Sequence, residues 1–183
     1  MPRSPIILEA ANLFVGDGEG SESLHLVLAE LKLPNVQENY QDHEAGGARF
    51  MIEVDMFIEK LEAAFLLAGW QPDILRLMNL ERLQTFTVYG LLRNRQTNSA
   101  QELKAILRGR IGKADPQSFT RGNLQHLEFG IRAIVYYELT IAQQQIYRFD
   151  WFEDRRRFSD AMTARYQSGR QQFVEQMNWL LGV

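Results

Sequence analysis

Alternation of apolar and polar residues is the dominant pattern along the chain. The longest run extends from Leu127 to Leu139, and every second residue from Phe129 to Tyr137 is apolar. A period of two over thirteen residues predicts a half-buried strand of roughly 43 Å. A second run places Leu103 and Ile111 on one face, opposite charged residues. Two long strands are therefore expected in the second half of the chain.

Shorter alternating runs predict further strands. Leu24, Leu26 and Leu28 alternate with other residues, and the phase then slips by one, so that Leu31 and Leu33 continue the pattern. Such a slip predicts a β-bulge near Ala29–Glu30. The remaining strands are predicted at Ala10–Val15, Ile52–Ile58, Thr85–Leu92 and Ile146–Trp151.

Two segments have helical rather than strand spacing. Pro72 is followed by an apolar stripe at Ile74, Leu77 and Met78, which predicts a short helix. Apolar residues between 173 and 181 repeat in the same way, and Gly182 follows as a stop signal. The stretch 154–166 is polar and basic, and both helical and irregular structure remain open there.

Two segments read as connections. The glycines and acidic residues at 16–20 predict a flexible turn. Residues 34–50 show little periodicity and include Gly46-Gly47, which predicts a long loop. The whole chain, 1–183, is expected to be one mainly β domain, a sandwich or barrel with helical accessories and a C-terminal arm or helix at 152–183.

Composition narrows the function classes. The formal net charge is −3, so the basic excess typical of duplex-binding proteins is missing. The chain has no cysteine, which excludes disulfides, thiolate catalysis and cysteine-type zinc sites. The apolar run Ala63–Trp70 is far shorter than a membrane span, and the N-terminal residues lack the apolar core of a signal peptide. We expect a soluble protein made in a cytoplasm.

No constellation of residues predicts catalysis, and no metal or cofactor site is expected. The three histidines, His25, His43 and His126, lack metal-ligand spacing, and no G-x-S-x-G nucleophile motif occurs. Glu53 and Asp55 alternate with apolar residues and share one face of a predicted strand. Three interpretations are open: a catalytic carboxylate pair, an acidic channel wall, and a solvated strand face, which is the ordinary case.

Two basic clusters allow more than one interpretation. One comprises Arg108, Arg110, Lys113 and Arg121, and the other is Arg155–Arg157. With Phe119 or Phe158 nearby, either could form a nucleic-acid surface. Solvated hairpin ends, or pairing with acidic groups on an identical neighbour, suit the nearly neutral chain better.

Five short stretches, in order, carry a resemblance to a known family. The chain is similar to the major tail tube proteins of contractile-tailed phages, and type VI secretion tubes and phage-like injection particles are expected to share that fold. The stretches are Ala11–Gly18, Leu31–Pro34 with the following loop to Gly47, Ala64–Met78, Leu107–Ile111, and Tyr136–Thr140 with Asp150 beyond.

The resemblance implies a non-enzymatic structural protein whose fold is two packed antiparallel sheets with a short flanking helix and a long projecting loop. Six copies would form a ring whose inner sheets join into one barrel around a pore, and rings would stack into the inner tail tube that conducts DNA into the host. Loop 34–50 would contact the neighbouring ring. The contact residues would be Asn39, Tyr40, Asp42, His43, Gly46, Gly47 and Arg49, and the candidates for the pore wall are Glu53 and Asp55.

The resemblance also implies partners and a location. The partners would be further copies of the chain, the tail sheath protein, the baseplate or tube initiator, the tail terminator, the tape measure protein in the lumen, and genomic DNA that passes without specific binding. The protein would be made in the host bacterial cytoplasm and reside in the virion. A tube that passes protein cargo is the nearest alternative; a lipocalin-like barrel for a small ligand is another, and an enzyme is the weakest.

Overall fold

The computed structural model describes residues 4–16, 22–44, 50–78 and 82–153, and the backbone alone of 155–158. The predicted C-terminal helix at 173–181 and most of the arm at 152–183 lie outside these residues. Within them the chain forms eleven strands and one short helix. The bounds are β1 (Ile6–Val15), β2 (Glu22–Ser23), β3 (Leu28–Lys32), β4 (Glu38–His43), β5 (Ile52–Ile58), β6 (Ala63–Ala68), α1 (Pro72–Arg76), β7 (Gln84–Asn94), β8 (Ala100–Pro116), β9 (His126–Ile141), β10 (Gln144–Asp150) and β11 (Arg155–Phe158).

The strands form curled antiparallel sheets, as the alternation predicts. The larger sheet follows the order β11-β10-β9-β8-β7-β1-β2, and β6 joins it by pairing with both β9 and β3. β4 and β5 pair only with each other among the strands described. The fold class, mainly β with a short flanking helix at Pro72, is confirmed.

The chain divides into two compact units, and several long strands contribute to both. The first unit comprises residues 1–14, 86–107 and 135–183, and the second comprises 15–85 and 108–134. The expectation of one domain over 1–183 stays a prediction.

The first unit has its own apolar core, in which aromatic rings of the β9–β10 hairpin take part. Tyr137 and Tyr147 are buried, and their ring centroids lie 5.7 Å apart. Burial, and then the neighbouring Tyr147, raise the pKa of Tyr137 to about 12. Ala142 and Gln143 connect the two strands with φ of 49° and 64°, the left-handed conformation of a two-residue hairpin turn. The buried side chains of this unit are Leu13, Phe86, Val88, Leu103, Ala105, Leu107, Tyr137 and Tyr147.

The second unit is built around the pairing of β6 with β9. Phe65 lies directly opposite Phe129, and the two rings stack with centroids 5.1 Å apart and an interplanar angle of 17°. Alternate residues of β6 are buried, so its other face is half-exposed. The buried side chains of this unit are Val15, Leu24, Leu61, Ala63, Phe65, Leu67, Ile74, Ile111, Leu127, Phe129, Ile131 and Ile134.

A break in β9 overturns one predicted strand face. Residues 126–131 of β9 pair with β6, whereas residues 136–141 pair with β10. Between them Ala133 has a φ of 49°, so the alternation slips and Ile134, not Ala133, is buried. The prediction that Ala133 and Val135 continue the buried face of Ile131 is therefore wrong.

Three other predictions need correction. Leu24–Val27 forms a turn in which the Val27 N–H donates to the Leu24 carbonyl, so the strand is only β3, although the bulge between Leu28 and Glu30 is confirmed. The predicted loop at 34–50 contains a strand, β4, because its backbone pairs with β5. The backbone at 155–158 is a strand on the edge of β10, neither helical nor irregular.

Candidate functional site: an exposed two-stranded hairpin

The β4–β5 hairpin is an extension of the β3–β6 pair. Lys32 opposite Ala64 is the last register pair of β3 with β6, and the chain then runs into β4 and returns from β5. The Glu59 N–H donates to the Gln37 carbonyl at 2.8 Å and closes the base of the hairpin. The hairpin therefore follows the Lys32–Ala64 end of that pair.

One face of the hairpin is acidic. In the register of the two strands Tyr40 lies opposite Asp55, and Asp42 lies opposite Glu53. Residues directly opposite in an antiparallel pair project from the same face. These four residues are the acidic face. All four are exposed, and each strand supplies two of them.

The other face is apolar although it is also exposed. His43 lies opposite Ile52, and Gln41 opposite Val54. An extra residue in β5 at the register shift between Asn39 and Tyr40 brings Phe57 opposite Asn39, and therefore onto this same face. Ile52, Val54 and Phe57 are the apolar face, with relative exposures of 51%, 38% and 58%.

The electrostatics of the hairpin are one-sided. Its described residues, 38–44 and 50–58, include five carboxylates and neither lysine nor arginine. The Tyr40 hydroxyl donates to Glu38 at 2.6 Å. That hydrogen bond and the negative charge of Glu38 raise the pKa of Tyr40, with smaller contributions from desolvation and from Asp55 and Glu53. The five carboxylates are Glu38, Asp42, Glu44, Glu53 and Asp55.

The exposure of both faces suits contact with another surface. An isolated two-stranded hairpin is marginal in water, since neither face is covered. Within the described part of the chain, no three His, Asp or Glu side chains are grouped to hold a metal ion. The described helix is too short and too polar to cross a membrane.

The structure brings most of the predicted site residues into this hairpin. Asn39, Tyr40, Asp42 and His43 lie in β4, while Glu53 and Asp55 lie in β5. The two predicted groups, one for ring contacts and one for the pore wall, thus share a single two-stranded sheet, and Tyr40 and Asp42 share a face with Glu53 and Asp55. Gly46, Gly47 and Arg49 lie outside the described residues.

One residue of the basic clusters pairs within its own unit. The Lys113 ammonium lies 3.1 Å from Asp115 and 3.3 Å from Glu128, and both contacts raise the pKa of Lys113, Asp115 first. Pairing with a neighbouring subunit is therefore not needed to satisfy this lysine.

Sequence reasoning missed the strand β4 and the apolar face that it helps to frame. Glu38–His43 has polar or charged residues at nearly every position, so it shows no period of two. The signal that could have indicated β4 lay in β5, where apolar and acidic residues alternate. A predicted strand needs a partner strand, and β4 is the neighbouring segment that could supply one.

Comparisons with solved structures agree with this architecture. A chain of the sheath–tube complex of the extracellular contractile injection system PVC, in the extended state, has a TM-score of 0.54 and 9% identity, and the match covers 74% of this chain and 91% of that one. A chain of the PVC sheath/tube terminator also has a TM-score of 0.54 and 9% identity, with 76% and 97% covered. A chain of the anti-feeding prophage (AFP) baseplate likewise has a TM-score of 0.54 and 9% identity, and the match covers 76% of this chain and 97% of that one. At this identity the likeness shows a common fold.

A comparison of the sequence with protein-family profiles identifies the family. No curated protein sequence matches the chain significantly. The profile of the family described as phage tail tube protein FII matches residues 5–159, which is most of the chain. The β4–β5 hairpin and the whole second unit fall within the matched range, which also covers the first unit from residue 5 to residue 159, and the chain belongs to the phage tail tube protein FII family.

Proposed function

We propose that six copies of this chain form a ring, and that rings stack into the inner tube of a contractile phage tail through which DNA enters the host. Membership of the tail tube family supports the tube, and the β4–β5 hairpin is the observation that carries the assembly step. Both faces of this hairpin are exposed, and its apolar face has no cover within the described residues. Contact with a further copy would cover it.

Exposed sheet edges support closure into a ring. In the described residues β2, with two residues, is too short to cover the ten-residue edge of β1, and β11 has only four residues. Unpaired strand edges are a liability for a monomer, and a closed barrel removes them. Ring closure between identical subunits needs two different surfaces of the same chain, which opposite edges of a sheet provide.

The acidic face is our candidate for the lumen wall. A conduit for DNA must not bind its cargo, and carboxylates repel phosphates over a screening length of about 8 Å at physiological salt. Glu53 and Asp55, joined by Asp42 opposite Glu53, form such a surface. We assign the apolar face of the same hairpin, with Asn39 and His43 beside it, to contact with the neighbouring ring.

The proposed partners follow from this assignment. We propose that the tube contacts the tail sheath protein, a baseplate or tube initiator and the tail terminator, and that it encloses the tape measure protein and then genomic DNA. The similar solved chains come from sheath–tube, terminator and baseplate assemblies, which supports the first three partners. The chain would act in the virion as a non-enzymatic component after synthesis in the host cytoplasm.

A tube that passes protein is the second candidate. The similar solved chains include those of an extracellular contractile injection system, and this favours a phage-like injection particle or a secretion tube as the alternative. Capsid and terminase genes beside the gene for this chain would identify a phage. Genes for a secretion ATPase or a toxin would identify the alternative.

Removal of the hairpin tests the assembly step. Residues 38–58 can be replaced by a two-residue Gly-Ser linker, because the Glu59 N–H and the Gln37 carbonyl already meet at the base. We expect a folded subunit that forms no tubes in negative-stain electron microscopy. Tubes of normal length from this variant would contradict the role of the hairpin, and absence of rings and tubes from the unaltered protein would contradict the proposed function.

Charge reversal tests the lumen. The double variant Glu53→Lys, Asp55→Lys should slow DNA ejection from assembled particles, because phosphates would bind the wall instead of being repelled. Glu59→Lys is the matched control, since Glu59 lies just beyond β5 and outside the acidic face. Ejection at the normal rate from the double variant would remove these two residues from the lumen.

A further inference from the structure

We infer that the apolar face of one hairpin docks on a group of exposed apolar side chains at the far end of β6 in the next copy. These side chains, Trp70 shortly after β6 and Phe119 and Leu124 in the loop between β8 and β9, are called the aromatic cluster below; their relative exposures are 56%, 77% and 66%. The inference rests on the proposed stacking of rings and names the surface that receives the hairpin.

The hairpin and the aromatic cluster lie at opposite ends of β6. The hairpin leaves at the Lys32–Ala64 end, whereas Ala68 pairs with His126 at the other end. There the Gly69 N–H donates to the Gln125 carbonyl at 2.8 Å, which joins the segment that carries Trp70 to the loop that carries Leu124. Six residues of strand separate the two ends by roughly 20 Å. The hairpin and the aromatic cluster of one chain are therefore attached to opposite ends of the same strand.

Trp70 of the aromatic cluster is hydrogen-bonded although it is exposed. The Trp70 indole N–H donates to the Gln125 side-chain oxygen at 2.8 Å, and the Gln125 side-chain amide donates to the Gln117 carbonyl at 2.6 Å. The indole is thus fixed by two successive hydrogen bonds before any partner arrives. A side chain that is already ordered loses little entropy on binding, and tryptophan is among the residues that most often anchor interfaces.

The charges of the two surfaces also fit. Residues 38–58 carry five carboxylates and one basic residue, Arg49, so two hairpins repel each other. The loop at 117–125 has Arg121 as its single charged residue. An acidic hairpin that brings apolar side chains is therefore attracted to this loop and repelled by another hairpin.

Docking of this kind can repeat from one copy to the next. The two surfaces differ and lie at opposite ends of one unit, so the contact is heterologous: each copy offers a hairpin in one direction and an aromatic cluster in the other. A contact that does not close on itself repeats without limit, and stacked rings become a tube. The same contact would also leave the acidic face of the hairpin uncovered.

Removal of the aromatic cluster is the first test. We expect Trp70→Ser, Phe119→Ser to leave rings that no longer stack, with the subunit concentration needed for tubes raised about tenfold or more. Trp151→Ser, Phe152→Ser is the matched control, because these residues are 65% and 69% exposed, meet edge to face, and belong to the first unit. Tubes at the normal concentration from the first variant, or an equal loss in both, would overturn the inference.

Cross-linking locates the contact in assembled tubes. The chain has no cysteine, so Val54→Cys with Leu124→Cys places one thiol on the apolar face and one in the aromatic cluster. A short bismaleimide should join these tubes into covalent ladders of many copies. Glu53→Cys with Leu124→Cys puts the first thiol on the acidic face and should give few links. Tubes without ladders, or ladders from both pairs, would overturn the docking while leaving the proposed tube intact.

Discussion

Two antiparallel pairs of the second unit have the same length of pairing and opposite environments. β6 and β9 share six register pairs, and so do β4 and β5. Phe65 and Phe129, opposite each other in the first pair, are 1% and 0% exposed, whereas Ile52 and Val54 of the hairpin are 51% and 38% exposed. β6 also pairs with β3 on its other edge, while β4 and β5 have no further described partner.

The difference shows that backbone pairing alone does not settle the stability of a strand pair. Burial of a large apolar side chain contributes about 1.5–3 kcal/mol, and it needs a covering layer. The β6–β9 pair has that layer within its own chain. In the proposed tube the hairpin would obtain it from another chain, and its apolar residues would then contribute to assembly rather than to folding.

The largest expected difference separates two truncations, one in each pair. Phe129→Ala should lower the free energy of unfolding of the unassembled subunit by about 3–5 kcal/mol, because it leaves a cavity beside Phe65. Ile52→Ala should lower it by about 1 kcal/mol or less. Urea unfolding at a concentration where a sizing column shows free subunits measures both. Equal losses would mean that the hairpin folds against its own chain, and the comparison would fail.

A smaller loss is expected beside the break in β9. A Cβ at Gly109 of β8 would lie 2.9 Å from the Arg132 carbonyl oxygen, which is backbone and cannot rotate away. Gly109→Ala should therefore cost about 1–3 kcal/mol of unfolding free energy. Arg108→Ala, an exposed position of the same strand, should change it by about 0.5 kcal/mol or less. An unchanged free energy of unfolding in Gly109→Ala would show that β9 can shift at little cost, and that the β6–β9 pair is not rigid at this end.

The break also marks where the sequence stops being informative about the fold. The period of two predicts β8 and the first half of β9 correctly, because Leu127, Phe129 and Ile131 are buried in phase. Ala133 then adopts a left-handed conformation, although neither glycine nor asparagine stands there to signal it. The same holds for the Ala142–Gln143 turn. Tertiary packing imposes these conformations, and local composition does not encode them.

Of the two strands of the candidate site, only β5 could be predicted from the sequence, and the reason differs from that for the break in β9. Alternation reports the contrast between an apolar and a polar face, which β5 has although both of its faces are exposed, so it predicts β5 at Ile52–Ile58 with its bounds. β4 has polar or charged residues on both faces, and its sequence therefore predicts a loop. Glu53 and Asp55 could be singled out from the sequence, but their pairing with Asp42 and Tyr40 needed the register of the two strands.

A modest gain is expected from relieving repulsion on the acidic face. Asp42 and Glu53 are directly opposite, and like charges in that position destabilise a pair. Asp42→Lys should stabilise the hairpin by about 0.5 kcal/mol, which about doubles the protection of its amides from hydrogen exchange. Glu44→Lys, beyond the paired residues, should change protection less. Unchanged protection in Asp42→Lys would show that the hairpin is held by something other than its own pairing.

The smallest effect concerns a tyrosine in each unit at high pH. The Tyr40 hydroxyl keeps its proton because it donates to Glu38, so the pKa of Tyr40 is raised above the value of about 10 in an unfolded chain. Its contribution to hairpin stability is complete below that pH and is lost as the pH rises through the folded pKa. Burial, and then a hydrogen bond to Glu138, raise the pKa of Tyr136 to about 12.

The carbon-13 shift of each phenol ring carbon, followed against pH, measures the two pKa values. We expect both pKa values to be raised, and Tyr136 to titrate after Tyr40. Glu38→Gln should return Tyr40 alone to its ordinary range, with Tyr136→Phe identifying the other signal. A Tyr40 that titrates normally in the unaltered protein would mean that the exposed hairpin is too loosely formed in the free subunit to hold even this hydrogen bond, and the contrast between the two strand pairs would then be wider than the structure shows.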